Sequence, residues 1–250
     1  MQLVISEPDY ATRRALISAY CRRYDGVNAG NTRRFAGHAF SYSDWDSLGK
    51  LEFRFVEVAG PTAKRINPLL SGKRLWGDAF LNELNYYVFV EVNPADTSKV
   101  IHVIDMRNGK RIRRIKTHKD FHSHRPGTRE LLLHLTFNEM VWSRYNIDTG
   151  TETEFFTGGY KGYVSADGRC LFPVDDWSSI GLVDIASGEL LDRKTKRHLS
   201  RYATKVTMLH VIRFEPKRPR LFVLLMRQQY LAYRLLIKEK LIQIDVEEER

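Results

Sequence analysis

After Asn31, short apolar segments alternate with turn residues along the chain. The segments are rich in Val, Ile, Phe, Tyr and Leu, and clear examples are YYVFVEV, KVIHVID and RLFVLL. Apolar runs of this kind, bounded by Gly, Pro, Asn and Asp, are typical of β-strands joined by hairpins. The pattern therefore predicts that most of the chain is all-β.

The preceding segment, Ser6 to Gly26, shows helical rather than strand periodicity. Tyr10 and Ile17 begin a stripe of apolar residues at helical spacing, and the arginines of this segment fall outside the stripe. Ser6, with Asp9 three residues later, resembles a capping box at the start of a helix. We expect one amphipathic helix that packs through its apolar stripe and presents arginines on its other face.

One short pattern recurs among the predicted strands. It consists of Asp or Asn, an apolar residue, any residue, then Ser, Thr or Asn, and finally Gly. Three copies are Asp105–Gly109, Asn146–Gly150 and Asp184–Gly188, whose glycines are 41 and 38 residues apart, and Tyr233–Ile242 is a degraded copy without Gly. Gly supplies the positive φ of a tight turn, and the polar side chains can accept backbone N–H groups. We therefore interpret the repeated aspartates as turn formers rather than as catalytic groups.

A period near 40 residues with about four strands per repeat matches the blade of a β-propeller. The stretch SADGRCLFPVDDWSSIGLVDIASGELL resembles one blade of the superfamily of YVTN, Tol-B-like and WD-repeat propellers, and FEPKRPRLF lines up with VSADGRCLF 50 residues earlier. The clear match covers residues 85–192, and this region lacks the Gly-His and Trp-Asp signature of WD repeats. The resemblance implies an all-β, propeller-like array of about five four-stranded blades with one N-terminal helix, and it is silent about function.

The repeat also suggests a domain organisation. We expect residues 1–34 to form an N-terminal strand and the arginine-bearing helix, packed on a propeller-like domain of residues 35–250. The first six residues would add an edge strand or close the ring. The expected blades span residues 35–66, 78–116, 121–156, 160–193 and 205–246.

Composition and charge narrow the class of protein. The chain has 250 residues and a net charge of +10, and it has two cysteines and no apolar run of membrane-spanning length. Its N-terminus lacks the features of a signal peptide. We therefore expect a cytoplasmic protein without a cofactor and without contact with a membrane. Residues 193–220 carry ten Lys or Arg against one acid, whereas residues 139–192 carry ten acids against three bases, which predicts surface patches of opposite sign.

The four strands of a propeller blade are labelled A to D in chain order. The loops between B and C, and those between D and the A strand of the next blade, share one face of the propeller. Two of the predicted B–C loops, SDWDS and DDWSS, place a Trp beside carboxylates. Each Trp could either anchor an interface with a partner or pack between blades. Two D–A loops, within residues 117–127 and 194–205, are basic. The residues predicted to contact a partner are Asp44, Trp45, Asp46, Asp175, Asp176, Trp177, Lys119, Arg125, Lys196 and Arg197.

Two further sets of residues are candidates for ligand binding. Basic clusters with neighbouring aromatic residues could neutralise phosphates and stack on bases. The predicted anion-binding residues are Arg13, Arg14, Arg22, Arg23, Arg111, Arg113 and Arg114. His118, His122 and His124 could supply imidazole ligands to zinc or another divalent ion.

These observations favour a non-enzymatic protein-binding module over an enzyme. The sequence has no G-x-S-x-G elbow, no Walker motif and no recognisable catalytic cysteine. A compact propeller of this kind suits an inhibitor or immunity-type protein of a bacterium or phage that covers an acidic target. The first alternative is binding of nucleic acid or another polyanion through the basic patches. The second is a metal-dependent hydrolase that uses the histidines.

Overall fold

The structure is a computed structural model. It describes residues 1–16, 33–35, 39–45, 52–58, 68–70, 75–92, 98–135, 139–175, 178–203, 206, 208–231 and 234–248. For strand residues 33–35, 39–45, 52–58, 227–231 and 234–239 it describes the backbone alone.

Nineteen strands make up most of the described chain. The first four are β1 (Gln2–Ser6), β2 (Arg33–Phe35), β3 (Ala39–Trp45) and β4 (Glu52–Val58). They are followed by β5 (Leu75–Leu81), β6 (Tyr86–Val92), β7 (Lys99–Asp105) and β8 (Arg111–Thr117), and then by β9 (Asp120–His124), β10 (Glu130–Leu135), β11 (Val141–Asn146) and β12 (Glu152–Thr157). The last seven are β13 (Lys161–Val164), β14 (Cys170–Asp175), β15 (Ser179–Asp184), β16 (Leu190–Thr195), β17 (Met208–Glu215), β18 (Arg220–Leu231) and β19 (Arg234–Glu247).

Consecutive strands pair with one another in antiparallel sheets. Three sheets have four strands each, in the orders β12-β11-β10-β9, β13-β14-β15-β16 and β1-β19-β18-β17. The remaining sheet runs in order from β2 to β8, and β4 meets β5 at Arg54 and Leu75. Repeated four-stranded units built from neighbouring strands confirm the predicted all-β, propeller-like fold.

The fourth strand of the last sheet comes from the start of the chain. Leu3 of β1 lies opposite Val246 of β19, and Ser6 lies opposite Gln243. The degraded turn predicted at Tyr233–Ile242 is wrong, because residues 234–242 belong to the uninterrupted strand β19. The fourth strand of the last sheet is β1, so no hairpin joins it to β19.

The chain divides into two compact units, each with its own buried core. Met1–Val27, Thr136–Trp142 and Glu154–Arg250 form the first unit, and Asn28–Leu135 with Ser143–Thr153 form the second. The core of the first unit combines side chains from β1, β14, β15 and β17–β19, among them Leu3, Phe172, Leu182, Val223 and Ile244. The core of the second unit includes Val88, Ile101, Leu131, Leu133 and Tyr145.

The repeated turn pattern has the same geometry in all three copies. The N–H of the terminal glycine donates to the carbonyl of the first residue at 2.7 Å in Asp105–Gly109, 2.9 Å in Asn146–Gly150 and 2.8 Å in Asp184–Gly188. Each of these glycines has a φ between 72° and 78°. The first side chain of each copy accepts backbone N–H groups of the turn; Asp184, for example, accepts the N–H of Ser187 at 2.7 Å. The interpretation of this pattern as a hairpin corner is confirmed.

The N-terminal helix begins later than the sequence predicts. Residues 10–16 are helical, and the side chain of Asp9, not that of Ser6, caps them by accepting the backbone N–H of Thr12 at 2.9 Å. Ser6 is instead the last residue of β1. Tyr10, predicted on the packing face, is 78% exposed, and Leu16 contacts the sheet through Phe222, Leu224 and Leu241. Within the described residues, no helix has the length and apolarity needed to cross a membrane.

Candidate protein-binding site

The end of the β13–β16 sheet brings together several residues that the sequence predicts to contact a partner. The turn between Asp175, the last residue of β14, and β15 contains Ser178, and a short helix, Lys196–Leu199, follows β16 directly. The N–H of Lys196 donates to the carbonyl of Ser178 at 3.1 Å, which attaches the helix to this turn. Asp175, Lys196 and Arg197 therefore lie at the same end of one sheet, which we call the turn–helix end.

Local contacts fix the helix in place. The N–H of Thr195, the residue before the helix, donates to Nδ1 of His198 at 3.1 Å. Such a contact satisfies a donor at a helix start that has no partner within the helix. Leu199 is fully buried in the core of the first unit, whereas Arg197 on the same helix is exposed. The helix therefore turns an apolar residue inward and a cation outward.

Arg193 is the residue of this end that sequence reasoning missed. Its Nε and Nη2 donate to Oγ of Ser179 at 3.0 and 2.9 Å, although Arg193 is an exposed residue and Ser179 is buried. The register of the sheet pairs Ser179 with Thr195 and Arg193 with Gly181, so the Arg193 side chain reaches back toward the turn. An arginine side chain that the protein already orients can bind an anionic group without first being ordered.

The neighbouring charges are partly neutralised. Nζ of Lys194 lies 2.9 Å from Oδ2 of Asp192, and the hydroxyl of Ser178 donates to Oδ2 of Asp175. Arg193 and Arg197 are exposed, and so is Arg201 two residues after the helix. A small pocket of about 50 Å³ lies beside Arg193. It is lined by Phe156, Thr157, Gly158, Gly159, Pro173, Asp175, Ser179, Gly181, Leu190 and Arg193. The exposed charges at this end are thus predominantly positive.

The other predicted partner contacts lie in the second unit or outside the described residues. Asp44 and Trp45 lie at the end of β3, where only the backbone is described, and Asp46, Asp176 and Trp177 lie outside the described residues. The predicted loop at 117–127 is wrong, because residues 120–124 form strand β9, paired with β10. Lys119 and Arg125 therefore flank opposite ends of β9, about 20 Å apart at the rise of an extended strand, and cannot belong to one loop.

Both of these cations have intramolecular partners. Nζ of Lys119 donates to Oγ of Ser143 and to Oε1 of Glu152, each at 2.6 Å. Nη1 of Arg125 donates to Oε2 of Glu130 at 2.7 Å. Their positive charges are compensated within the second unit.

The described members of the predicted anion-binding set lie on two different elements. Arg13 and Arg14 are exposed on the N-terminal helix, Arg111 and Arg114 are exposed on β8, and Arg22 and Arg23 lie outside the described residues. Arg113 donates through Nε and Nη2 to the carbonyls of Ile147 and Asp148. Arg113 therefore supports a neighbouring turn of the second unit.

The histidines are not arranged as a metal centre. His118 is exposed between β8 and β9, and Nε2 of His124 donates to the carbonyl of Thr128 at 2.7 Å. Nδ1 of His122 lies 2.9 Å from Oγ of Ser123. In the part of the chain that the structure describes, no three His, Cys, Asp or Glu side chains form a group that could hold a metal ion.

Comparison with known proteins shows similarity in structure but not in sequence. No protein-family model matches the chain, and no curated protein matches it either. It is similar to the β-propeller domain of the Trilobed protease from Pyrococcus furiosus, with a TM-score of 0.45 and 13% identity over 70% of this chain and 55% of that one. It is also similar to the acylaminoacyl peptidase of Pyrococcus horikoshii, with a TM-score of 0.45 and 12% identity over 67% of this chain and 32% of that one.

A third solved structure is matched by this chain over a larger share of both lengths. It is a β-propeller domain from Myceliophteria thermophila, with a TM-score of 0.47 and 11% identity over 85% of this chain and 73% of that one. The chain spans about half of the Trilobed protease domain and about a third of the acylaminoacyl peptidase. β-Propeller domains are thus among the solved structures that this chain resembles.

Proposed function

We propose that the protein is a non-enzymatic protein-binding module and that its turn–helix end binds an acidic surface of a partner. The observation that carries the proposal is the contact between Arg193 and Ser179 beside the exposed Arg197. These residues lie at the sheet end where a turn and a helix are joined by the hydrogen bond between Lys196 and Ser178.

The contact between Arg193 and Ser179 favours binding for an entropic reason. Ordering a long side chain at an interface costs about 0.5–1.5 kcal/mol, and a side chain that is already ordered avoids part of this cost. Arginine is also enriched among the residues that dominate the energy of protein interfaces. Arg193 is therefore our candidate for the strongest single contact.

The chemistry of this end suits recognition rather than bond cleavage. Its described charged side chains include Arg193, Arg197 and the carboxylate of Asp175, which accepts a hydrogen bond from Ser178. Positive groups that protrude from a surface steer and orient an acidic partner. We extend the proposal to an inhibitor or immunity-type protein, which would act by covering an acidic site of its target. The exposed arginines at the turn–helix end support this extension.

Affinity purification with charge-reversed baits tests the proposal. The wild-type protein, the Arg193→Glu/Arg197→Glu variant and the Arg13→Glu/Arg14→Glu variant are each immobilised and exposed to nuclease-treated extract of the native host. The two variants carry the same change in net charge, but the second places it on the N-terminal helix. We expect a protein partner to be retained by the wild type and by the helix variant and to be lost from the Arg193/Arg197 variant.

Two results would contradict the proposal. One is equal retention of the partner by both variants, which would mean that the turn–helix end is not the interface. The other is retention of nucleic acid alone when nuclease is omitted, with an affinity that falls steeply as salt is raised, because that dependence is characteristic of phosphate neutralisation.

A further inference from the structure

A cleft of about 440 Å³ lies in the second unit, where β5 faces β9. It is lined by Gly77, Asp78, Ala79, Phe80, Leu81, Asn82, Glu83, Phe121, His122, Ser123 and His124. A volume of this size lies within the range of small-ligand sites in proteins. The cleft is distinct from the turn–helix end, which belongs to the first unit.

The charge of the lining contrasts with that of the whole protein. The chain carries a net charge of +10, yet the described lining residues include two carboxylates, Asp78 and Glu83, and neither Lys nor Arg. Its two imidazoles, His122 and His124, are half-buried. The fixed charge of the cleft is therefore negative, which favours a cationic ligand.

A buried phenol orients the carboxylate of Asp78. The hydroxyl of Tyr87, a fully buried residue, donates to Oδ2 of Asp78 at 3.1 Å. Burial, reinforced by the negative charge of Asp78, raises the pKa of Tyr87 far above its ordinary value, so the phenol remains a hydrogen-bond donor. Tyr87 therefore acts as a positioning residue for the Asp78 carboxylate.

Glu83 is also fixed by the protein. It lies in the short 3₁₀ helix Asn82–Leu84 that follows β5, and its Oε2 accepts the backbone N–H of Gly127 at 3.1 Å. A carboxylate that is already oriented loses less freedom when a cation binds. Both acidic groups of the cleft are thus positioned before any ligand arrives.

Phe80 of β5, whose ring lies 4.8 Å from that of Tyr87, and Phe121 of β9 are also lining residues of the cleft. An aromatic face attracts a cation, and the planar guanidinium group both stacks on rings and pairs with carboxylates. We propose that this cleft is a binding site for a guanidinium group, the side chain of an arginine presented by a peptide or protein. This site goes beyond the proposed function, because it lies in the other unit and takes a ligand of the opposite charge.

N-Acetyl-L-arginine amide is the probe, and N-acetyl-L-citrulline amide, which has nearly the same shape without the charge, is its control. Both are titrated at millimolar concentrations into ¹⁵N-labelled full-length protein at pH 8, where imidazole groups are ordinarily neutral. We expect the arginine compound to shift the amide resonances of β5 and β9 in a saturable manner and the citrulline compound to leave them unchanged. Equal shifts with both compounds, or no shifts with either, would overturn the proposal.

Two variants locate the site and one controls for it. Asp78→Asn removes a charge-assisted contact, and we expect it to weaken binding roughly 10-fold. Gly77→Val fills the cleft at a position where a Cβ meets no atom within 4 Å, so we expect a folded protein that no longer binds. Glu189→Gln removes an exposed carboxylate in the first unit and should leave binding unchanged. Undiminished binding by folded Gly77→Val would overturn the assignment even if Asp78→Asn fails to fold.

Discussion

The guanidinium of Arg193 donates two hydrogen bonds to the buried hydroxyl of Ser179, at 3.0 and 2.9 Å. The two residues lie on the adjacent strands β16 and β15, and the contact directs an exposed cation toward the turn–helix end. Ser179 therefore supports the proposed interface, although Ser179 is not itself an interface residue.

Replacement of Ser179 tests that role. Ser179→Ala leaves Arg193 without its acceptor, so the side chain must be ordered when the partner binds. We expect the affinity for the purified partner to fall about 2- to 10-fold, which corresponds to the usual cost of immobilising one such side chain. Isothermal titration calorimetry measures the affinity.

Ser143→Ala is the matched control for this variant, because Ser143 also has a buried hydroxyl that accepts from a cation, Lys119, but lies in the other unit. It should leave the affinity unchanged. A Ser179→Ala protein with wild-type affinity would show that Arg193 does not need its support.

A comparison of two turn glycines separates the effect of a steric contact from the effect of backbone strain. Gly188 and Gly150 have nearly the same φ, 78° and 77°, so an alanine at either position is strained by about 1–2 kcal/mol. A Cβ at Gly188 would also lie 2.1 Å from the carbonyl oxygen of Phe155, whereas a Cβ at Gly150 would have 3.5 Å to the hydroxyl of Tyr145. We expect Gly188→Ala to lower the free energy of urea unfolding clearly more than Gly150→Ala does. Equal losses would mean that the contact with Phe155 relaxes at little cost.

Asp192 predicts a specific dependence of stability on pH. Burial opposes its ionisation, but hydrogen bonds from Lys194 and from the N–H of Leu3 outweigh burial and hold its pKa below the usual range. The stability that Asp192 adds is therefore present above its unfolded pKa of about 3.9 and is lost as the pH falls through its folded value.

Asp192→Asn should make unfolding less sensitive to acid. Between about pH 6 and about pH 3, we expect the variant to lose less free energy of urea unfolding than the wild type loses. Glu189→Gln, an exposed residue of the same sheet region, serves as the control and should follow the wild-type curve. Coinciding curves for Asp192→Asn and the wild type would contradict a native-state role for the charge.

Cys170 is predicted to be chemically inert in the native protein. Burial raises the pKa of its thiol to about 11, and its side chain belongs to the core of the first unit. In a Cys21→Ser background, we expect the thiol to react with a disulfide reagent at pH 8 roughly 100-fold more slowly in the native protein than in urea. Similar rates in both solvents would show that this core opens readily.

The fold was predictable where the signal is local. The pattern at Asp184–Gly188 determines a turn by its own residues. Asp167-Gly168, a dipeptide typical of tight hairpins, likewise lies in the turn between β13 and β14. The position of the helix start was not predictable, because Ser6 is engaged by a strand 237 residues later, opposite Gln243. For the same reason the sequence did not identify β1 as the partner of β19.

The candidate site was predictable in part. Lys196 and Arg197 stand out as a basic segment after a strand, and the structure places them at the same sheet end as Asp175. Arg193 has no local feature that separates it from the lysines that follow. Its role depends on the register that pairs it with Gly181 and brings its side chain to Ser179, 14 residues earlier. Such cross-strand relationships require the three-dimensional pairing.

Site-specific photo-cross-linking addresses the location of the interface. A benzoylphenylalanine is placed at Ser200, an exposed position directly after the helix Lys196–Leu199, or at Ala15, an exposed position on the N-terminal helix. We expect irradiation in extract of the native host to attach a protein partner at Ser200 and not at Ala15. Cross-linking at Ala15 alone, or at neither position, would contradict protein binding through the turn–helix end.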